Sequence, residues 1–126
     1  MSVKFNIVER GNPANPQAPR KHYPSIQSSG RLSIRQLANQ IADISTVSTA
    51  DTMAVLEAML TVIPHELGNG NIVELGDFGN FWLRSTAAGA AKPEQVRATH
   101  VTGLLPRFNP GKEFKRMLQD VKFEKA

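Results

Sequence analysis

The sequence predicts an α+β fold in which a helical hairpin precedes a three-stranded antiparallel sheet and a short C-terminal helix follows it. Between residues 33 and 67, apolar residues recur at helical spacing, which indicates helices. From residue 71 onward, short β-prone segments alternate with glycine and proline. Helices that precede the strands along the chain, without regular alternation, are typical of α+β domains.

The composition predicts one main domain and excludes several kinds of site. The chain has 126 residues, no cysteine and three isolated histidines. Without cysteine, neither a disulfide framework nor a thiolate metal site can form, and the histidines lack metal-ligand spacing. The first residues contain no apolar core of the signal-peptide kind, and no uncharged apolar run approaches membrane-spanning length. We therefore expect a cytoplasmic protein with no metal, no cofactor and no membrane contact.

The cations are segregated toward the two ends of the chain, although the net charge is only +4. Residues 1–30 have a net charge of +3, residues 31–84 of −3, and residues 85–126 of +4. A segregated basic region is the expected footprint of a polyanion binder. The alternative is a solvated, lysine-rich C-terminal helix, which would account for part of this charge.

The first thirty residues predict an N-terminal extension rather than a separate domain. Alternating apolar residues near the N-terminus predict a strand. The proline-rich stretch at residues 11–19 predicts an exposed loop, and a second extended segment follows it. These segments contain too few apolar residues to bury a core. The predicted division is therefore an extension at 1–30 and a main domain at 31–126.

Two helices begin the main domain. Ser33 and Gln36 fit a capping box at the start of the first helix. Ser48 is the predicted cap of the second helix, which runs to about Leu67 and is stopped by a Gly-Asn-Gly sequence. Pro64 is expected to kink this helix or shorten its regular part.

The second helix is apolar on more than one side. Its large apolar residues are Met53, Val55, Leu56, Met59, Leu60, Val62, Ile63 and Leu67. A helix that is apolar on two sides needs two partners, and the first helix can cover only one of them. We therefore expect an obligate homodimer. The alternative is that the sheet and the C-terminal helix of the same chain cover the remainder.

A glycine-bracketed turn joins the first two strands of the predicted sheet. The strands are predicted at residues 71–75 and 80–84, and both Gly76 and Gly79 can take positive φ angles in the turn between them. A stretch of small residues follows, and residues 96–101 are predicted to return as the third strand.

The end of the chain predicts one short helix and a tail. Pro106 is expected to end the sheet. The last helix is predicted from about Pro110 to Val121, with Asn109 as its N-cap. Residues 122–125 are predicted to form a frayed or extended tail.

No pattern typical of an enzyme is present. The chain has no nucleophile elbow, no phosphate-binding glycine loop and no paired carboxylates in a plausible acid/base arrangement. The glycines near residues 68–70 and 76–79 are turn glycines, because neither group leads directly into a helix. We therefore expect a protein without catalytic activity or a small-molecule substrate.

In its order of elements, the chain resembles the bacterial histone-like HU and integration host factor family across residues 32–121. The matching residues are Gly76 with Phe78-Gly79-Asn80-Phe81 and Arg84, then Pro106, Phe108 and Pro110-Gly111-Lys112. The N-terminal extension makes the chain similar to a longer, HU-related branch. The resemblance implies an intertwined dimer whose two β-ribbon arms reach around the minor groove of duplex DNA. It implies a nucleoid-associated protein that condenses DNA.

The resemblance also implies which residues contact DNA. Arg84 corresponds to the base of the arm, where the family contacts phosphate. Lys112 lies at the start of the last helix, where a cation and the helix amides can share a phosphate. Lys92 and Pro93 fall within about one position of the wedge proline at the family's arm tip, and Arg97 lies on the returning strand. Further cations that could add a basic surface on the body are Arg107, Lys115 and Arg116.

The arm departs from the family pattern because it has few cations. Beyond Arg84 it contains only Lys92 and Arg97, with Glu94 opposing them. The slope of log K against log salt steepens by about 0.9 for each phosphate that the protein neutralises. An arm with few cations neutralises few phosphates, so we expect weak binding with little sequence specificity. Cations of the N-terminal extension that could compensate are Lys4, Arg10, Arg20 and Lys21. The alternative is a structural or protein-interaction dimer that retains the fold and has lost DNA binding.

Overall fold

The computed structural model describes residues 1–126 and contains six strands and three α-helices. The strands are β1 (Ser2–Arg10), β2 (Lys21–Gln27), β3 (Val73–Glu74), β4 (Gly79–Ala87), β5 (Val101–Pro110) and β6 (Lys122–Lys125). The helices are α1 (Ile34–Asp43), α2 (Thr49–Gly68) and α3 (Lys112–Asp120). No helix combines the length and the apolar character needed to cross a lipid bilayer.

The chain divides into two compact units. One unit comprises residues 1–33 and 117–126, and the other comprises residues 34–116. These units differ from the predicted division at 1–30 and 31–126, because the last ten residues cluster with the N-terminal segment.

The first unit is built on a three-stranded sheet with the order β2-β1-β6. The central strand β1 pairs antiparallel with β2 and parallel with β6. The alternating N-terminal residues and the extended segment after the proline-rich loop are strands, as predicted. The tail at 122–125 differs from the prediction: it is the paired strand β6, because β1 offers it a free edge.

The helical hairpin in the second unit starts and stops where the local sequence predicts. Ser48 has an extended backbone, and its side chain accepts a hydrogen bond from the Asp51 amide at 3.1 Å. Beyond the end of α2, Gly70 has a φ of 89°, which is the left-handed conformation typical of a helix stop. Pro64 does not end the helix, which continues to Gly68.

Little of this helical hairpin is buried within one copy of the chain. Ala38, Thr52 and Leu67 are its only buried side chains. On α2, Val55 remains 65% exposed and Leu60 59% exposed. The sheet and α3 of the same chain therefore leave apolar side chains of α2 uncovered.

The second sheet is antiparallel throughout and has the order β3-β4-β5. β3 has two residues and is shorter than the predicted strand at 71–75. A 3₁₀ turn at Gly76–Phe78 joins β3 to β4. Gly76 in this turn has a φ of 59°, and Gly79, which follows the turn, has one of 140°, so the predicted positive φ angles are confirmed.

The returning strand begins later and runs further than predicted. The predicted strand at residues 96–101 is wrong for all but its last residue. Two 3₁₀ turns, Pro93–Gln95 and Ala98–His100, occupy the region before β5 begins at Val101. Pro106 does not end the sheet but pairs with Leu83. An edge strand such as β5 tolerates proline, since one side of it needs no amide donor.

The start of the last helix is also later than predicted. Asn109 and Pro110 lie in β5, where they pair with Asn80 and Gly79. Asn109 is therefore not the N-cap, and α3 begins at Lys112. The strand pairing of these two residues outweighs their local preference for a helix start.

Candidate nucleic-acid interface

An aromatic cluster fixes α3 against the base of the β4–β5 hairpin. The Phe108 ring centroid lies 4.9 Å from that of Phe81 and 5.2 Å from that of Phe114. The Phe78 ring completes the cluster, with its centroid 4.8 Å from that of Phe114. Such tilted and edge-to-face pairs each contribute about 0.5–1.5 kcal/mol beyond the burial of their area. The cluster therefore holds the start of α3 close to the sheet.

A close backbone contact fixes the residue before α3. The Gly111 amide donates a hydrogen bond to the Phe78 carbonyl oxygen at 2.9 Å. A Cβ atom on residue 111 would collide with the Asp77 carbonyl oxygen, so this approach requires glycine. The contact places Lys112, the first residue of α3, next to the turn between β3 and β4.

Two arginines lie together on the face of the sheet opposite the Phe81 and Phe108 rings. Arg107 pairs with Trp82, and Arg84 follows Trp82 by two residues on β4. Because alternate strand residues share a face, both guanidinium groups project from the same side. The two residues are diagonal neighbours across the strand pair, a position that typically separates residues by roughly 7–8 Å. Both residues are exposed and neither forms an ion pair.

The three predicted cations of α3 are all exposed. Lys112 lies at the helix N-terminus, where the helix dipole adds partial positive charge. Arg116 forms an ion pair with Glu113, with Nη1 and Oε1 3.6 Å apart and both side chains more than half exposed. An exposed pair of this kind contributes about 0–1 kcal/mol, so phosphate can compete for Arg116. Lys115 forms no ion pair.

Residues 88–100 form the loop at the end of the β4–β5 hairpin and contain two 3₁₀ turns. Strand pairing ends at Ala87 and Val101, just after a register shift. The loop closes where the Ala88 amide donates to the His100 carbonyl oxygen at 2.8 Å. The Arg97 amide donates to His100 Nδ1 at 2.8 Å.

The remaining predicted site residues lie in this loop. Pro93 starts the first 3₁₀ turn, with Lys92 immediately before it. Arg97 immediately precedes the second turn instead of lying on a returning strand. All three are exposed. The structure therefore brings Arg84 and Arg107 together on the sheet and places these three residues in the loop at the hairpin end.

Trp82, which was not predicted as a site residue, lies on the same sheet face as the two arginines. Its indole Nε1 is buried and has no hydrogen-bond partner within the chain. Trp82 also lines a cavity of about 350 Å³ with Leu67 and Ile72. The only sequence signal was its strand position, two residues before Arg84.

An apolar groove lies between α2 and the sheet. Its volume is about 360 Å³, and its lining includes Met59, Leu60 and Phe81. Elsewhere on α2, the apolar residues Val55 and Val62 are also exposed. Large exposed apolar surfaces on a small protein are typical of interaction sites.

The chain matches a family model over residues 1–125, and the family, HU-HIG, is described as an HU domain fused to a wHTH, Ig or glycine-rich motif. DNA-binding protein HU of Buchnera aphidicola subsp. Baizongia pistaciae is 32% identical over 88 residues, which cover 68% of this chain and 96% of that protein. DNA-binding protein HU of Geobacillus stearothermophilus is 32% identical over 82 residues, which cover 64% of this chain and 91% of that protein.

Two solved structures have a similar fold. An Anabaena HU–DNA cocrystal structure matches with a TM-score of 0.56 and 25% identity, over 71% of this chain and 99% of that one. A Bacteroides vulgatus protein, described as a candidate bacterial DNA-binding protein, matches with a TM-score of 0.66 and 14% identity. That match covers 99% of this chain and 48% of the other, so this chain spans about half of that protein's length. The predicted resemblance to HU is confirmed, and the chain belongs to the HU-HIG family of HU-related proteins.

Proposed function

We propose that this protein is a nucleoid-associated homodimer of the bacterial cytoplasm that binds duplex DNA with little sequence specificity. The observation that carries the proposal is that Arg84 and Arg107 lie side by side at the base of the β4–β5 hairpin in an HU-related fold. Neither arginine forms an ion pair with an acidic residue. The HU relatives are named as DNA-binding proteins, and one structural neighbour is an HU–DNA cocrystal.

The dimer is supported by the uncovered apolar side chains of α2. Val55, Leu60 and Val62 are each more than half exposed, although such side chains contribute about 1.5–3 kcal/mol each when fully buried. A second copy is the simplest partner of matching chemistry, because a two-fold axis brings the same apolar surface of both copies together. In this arrangement the groove beside Leu60 receives apolar side chains of the partner.

Phosphate groups are the proposed targets of the cations in residues 34–116. An arginine fork can bind two phosphate oxygens at once, and Arg84 and Arg107 present two such forks on one face. Lys112 combines its ammonium group with the partial positive charge of a helix N-terminus. Contacts to phosphate position a protein on DNA without reading base sequence.

The loop at the hairpin end adds few contacts in this proposal. Lys92 and Arg97 supply two cations, and Glu94 between them opposes both. Pro93 is the residue available as an apolar wedge against a base step. We therefore propose that the loop touches the minor groove and contributes less affinity than the phosphate contacts of Arg84, Arg107 and Lys112.

The test is a titration of the full chain with two duplexes of unrelated sequence at 50 and 200 mM salt. Arg84→Gln should weaken binding to both duplexes similarly and reduce the salt slope by about 0.9 for each phosphate that is no longer neutralised. Arg35→Gln on α1 is the matched control, because it removes a cation that is also exposed but lies outside the proposed site. Loss of binding to only one duplex would contradict recognition through phosphate.

One observation favours the second candidate, an HU-like structural dimer that has lost DNA binding. The unit at residues 34–116 contains eight Lys and Arg residues and eight Asp and Glu residues, so its net charge is zero. If the wild-type chain dimerises but binds neither duplex even at 50 mM salt, this second function replaces the first.

A further inference from the structure

The net positive charge of the protein resides in the unit formed by residues 1–33 and 117–126. This unit contains seven Lys and Arg residues against three Asp and Glu residues, a net charge of +4. The other unit, residues 34–116, has a net charge of zero. Electrostatic attraction to a polyanion therefore acts mainly on the N-terminal segment and the strand that pairs with it.

The strand register collects four of these cations on one face of the first sheet. Lys4 and Arg10 are separated by six residues on β1 and therefore share a face. Lys21 pairs directly with Arg10. Lys122 pairs with Ser2, which lies on the same face as Lys4. We call the surface formed by Lys4, Arg10, Lys21 and Lys122 the basic face.

The opposite face of the same sheet is mainly apolar. Phe5 pairs with Ile26, and Ile7 pairs with Pro24. Phe123 of β6 pairs with Val3 on this side. Among the paired residues, Glu9 and Lys125 also lie on this side, and Glu124, which pairs with Lys4, contributes the only carboxylate side chain on the basic face.

The four cations are available to a ligand. All four residues are exposed, and none forms an ion pair, since the one ion pair in the protein joins Arg116 and Glu113. From Lys4 to Arg10 the strand extends about 20 Å at about 3.3 Å per residue. Phosphates of one DNA strand follow each other every 3.4 Å or so along the helix axis, so both ends of the basic face can contact one duplex.

Protection of sheet edges explains only part of this arrangement. Lysines on edge strands prevent unwanted strand pairing, and Lys21 and Lys122 lie on the edge strands β2 and β6. Lys4 and Arg10 lie on the central strand β1, which is paired on both sides. Their presence on the same face calls for another explanation.

We propose that the basic face binds the phosphate backbone of duplex DNA and forms a second contact surface, separate from the cations of residues 34–116. This inference rests on the proposed DNA-binding function and assigns a role to the N-terminal segment and β6. The ammonium and guanidinium groups donate hydrogen bonds to phosphate oxygens, and no base is read.

The test compares two substitutions on β6 in the full-length chain. Lys122→Gln removes a charge from the basic face. Lys125→Gln removes the same charge three residues later from the apolar face, where Lys125 pairs with Phe5. The probe is a 30-base-pair duplex titrated at 50, 100 and 200 mM salt. The double variant Lys4→Gln with Arg10→Gln measures the effect on the central strand.

The expected result is a smaller salt slope for Lys122→Gln, by about 0.9 for each phosphate that is no longer neutralised, and about twice that change for the double variant. The ratio of the affinity at 50 mM salt to that at 200 mM salt should fall roughly 3.5-fold for each phosphate contact that is removed. Lys125→Gln should retain the wild-type slope. Circular dichroism and thermal melting of each variant confirm that a changed slope does not come from unfolding.

Three results would overturn the inference, each in a distinguishable way. If Arg84→Gln reduces the slope but the basic-face variants match Lys125→Gln, the second surface is refuted and the proposed function stands. If the wild-type chain binds no duplex at 50 mM salt, both are refuted. If the basic-face variants lose binding only to phosphatidylserine vesicles or polyglutamate, the surface serves a different polyanion and the assignment to DNA is wrong.

Discussion

Truncation of Leu60 tests the proposed dimer most sharply. Leu60 lies on α2, lines the apolar groove and is 59% exposed in a single chain. Complete burial of a leucine side chain contributes about 1.5–3 kcal/mol, so burial of the remaining fraction contributes about 1–2 kcal/mol in each copy. A two-fold dimer contains two such residues. Leu60→Ala should therefore weaken dimerisation by about 2.5 kcal/mol, or roughly 70-fold in Kd.

Sedimentation equilibrium over a range of protein concentrations measures this change. Leu118→Ala on α3 is the matched control, because Leu118 is 61% exposed and lies outside the groove. The Leu60→Ala sample should dissociate at concentrations at which wild type and Leu118→Ala remain dimeric. A wild-type chain that is monomeric throughout, or equal Kd values for both variants, would refute the assignment of α2 to the interface.

Three further predictions concern the framework that positions the site, each measured as the free energy of unfolding in urea. Phe108→Ala should destabilise the fold by about 3 kcal/mol, since it removes a half-buried ring with three aromatic neighbours; a change below about 1 kcal/mol would show that the cluster contributes little. Gly111→Ala should destabilise the fold by about 1–3 kcal/mol, because the added Cβ atom meets backbone atoms. The control Gly89→Ala has open space around it and should change stability by less than about 1 kcal/mol. Equal effects of the two substitutions would contradict the close contact at Gly111. Ser48→Ala should cost about 1 kcal/mol through loss of the cap, and an unchanged urea midpoint would argue against it.

Local signals allowed the helical hairpin and the turn to be predicted from sequence. The cap at Ser48 is a contact between residues three apart, and the φ angles of Gly76 and Gly79 depend on their immediate backbone. For such features the neighbouring residues contain all the relevant information. The shared face of Arg84 and Arg107 was not predicted, because the sheet was expected to end at Pro106, whereas Arg107 pairs with Trp82.

Long-range pairing explains the features that the sequence did not predict. β6 forms because residues 122–125 meet β1 at the other end of the chain, and no local pattern records that partner. Asn109 and Pro110 have the local chemistry of a helix start, but pairing with β4 keeps them in β5. The basic face likewise appears only once the three strands of the first sheet are paired.

The most direct test of the central claim is the dependence of binding on salt for wild-type protein with two duplexes of unrelated sequence. Recognition through phosphate predicts affinities within about threefold of each other and equal, negative slopes of log K against log salt. Absence of binding at 50 mM salt, or affinities that differ by more than tenfold between the duplexes, would contradict it.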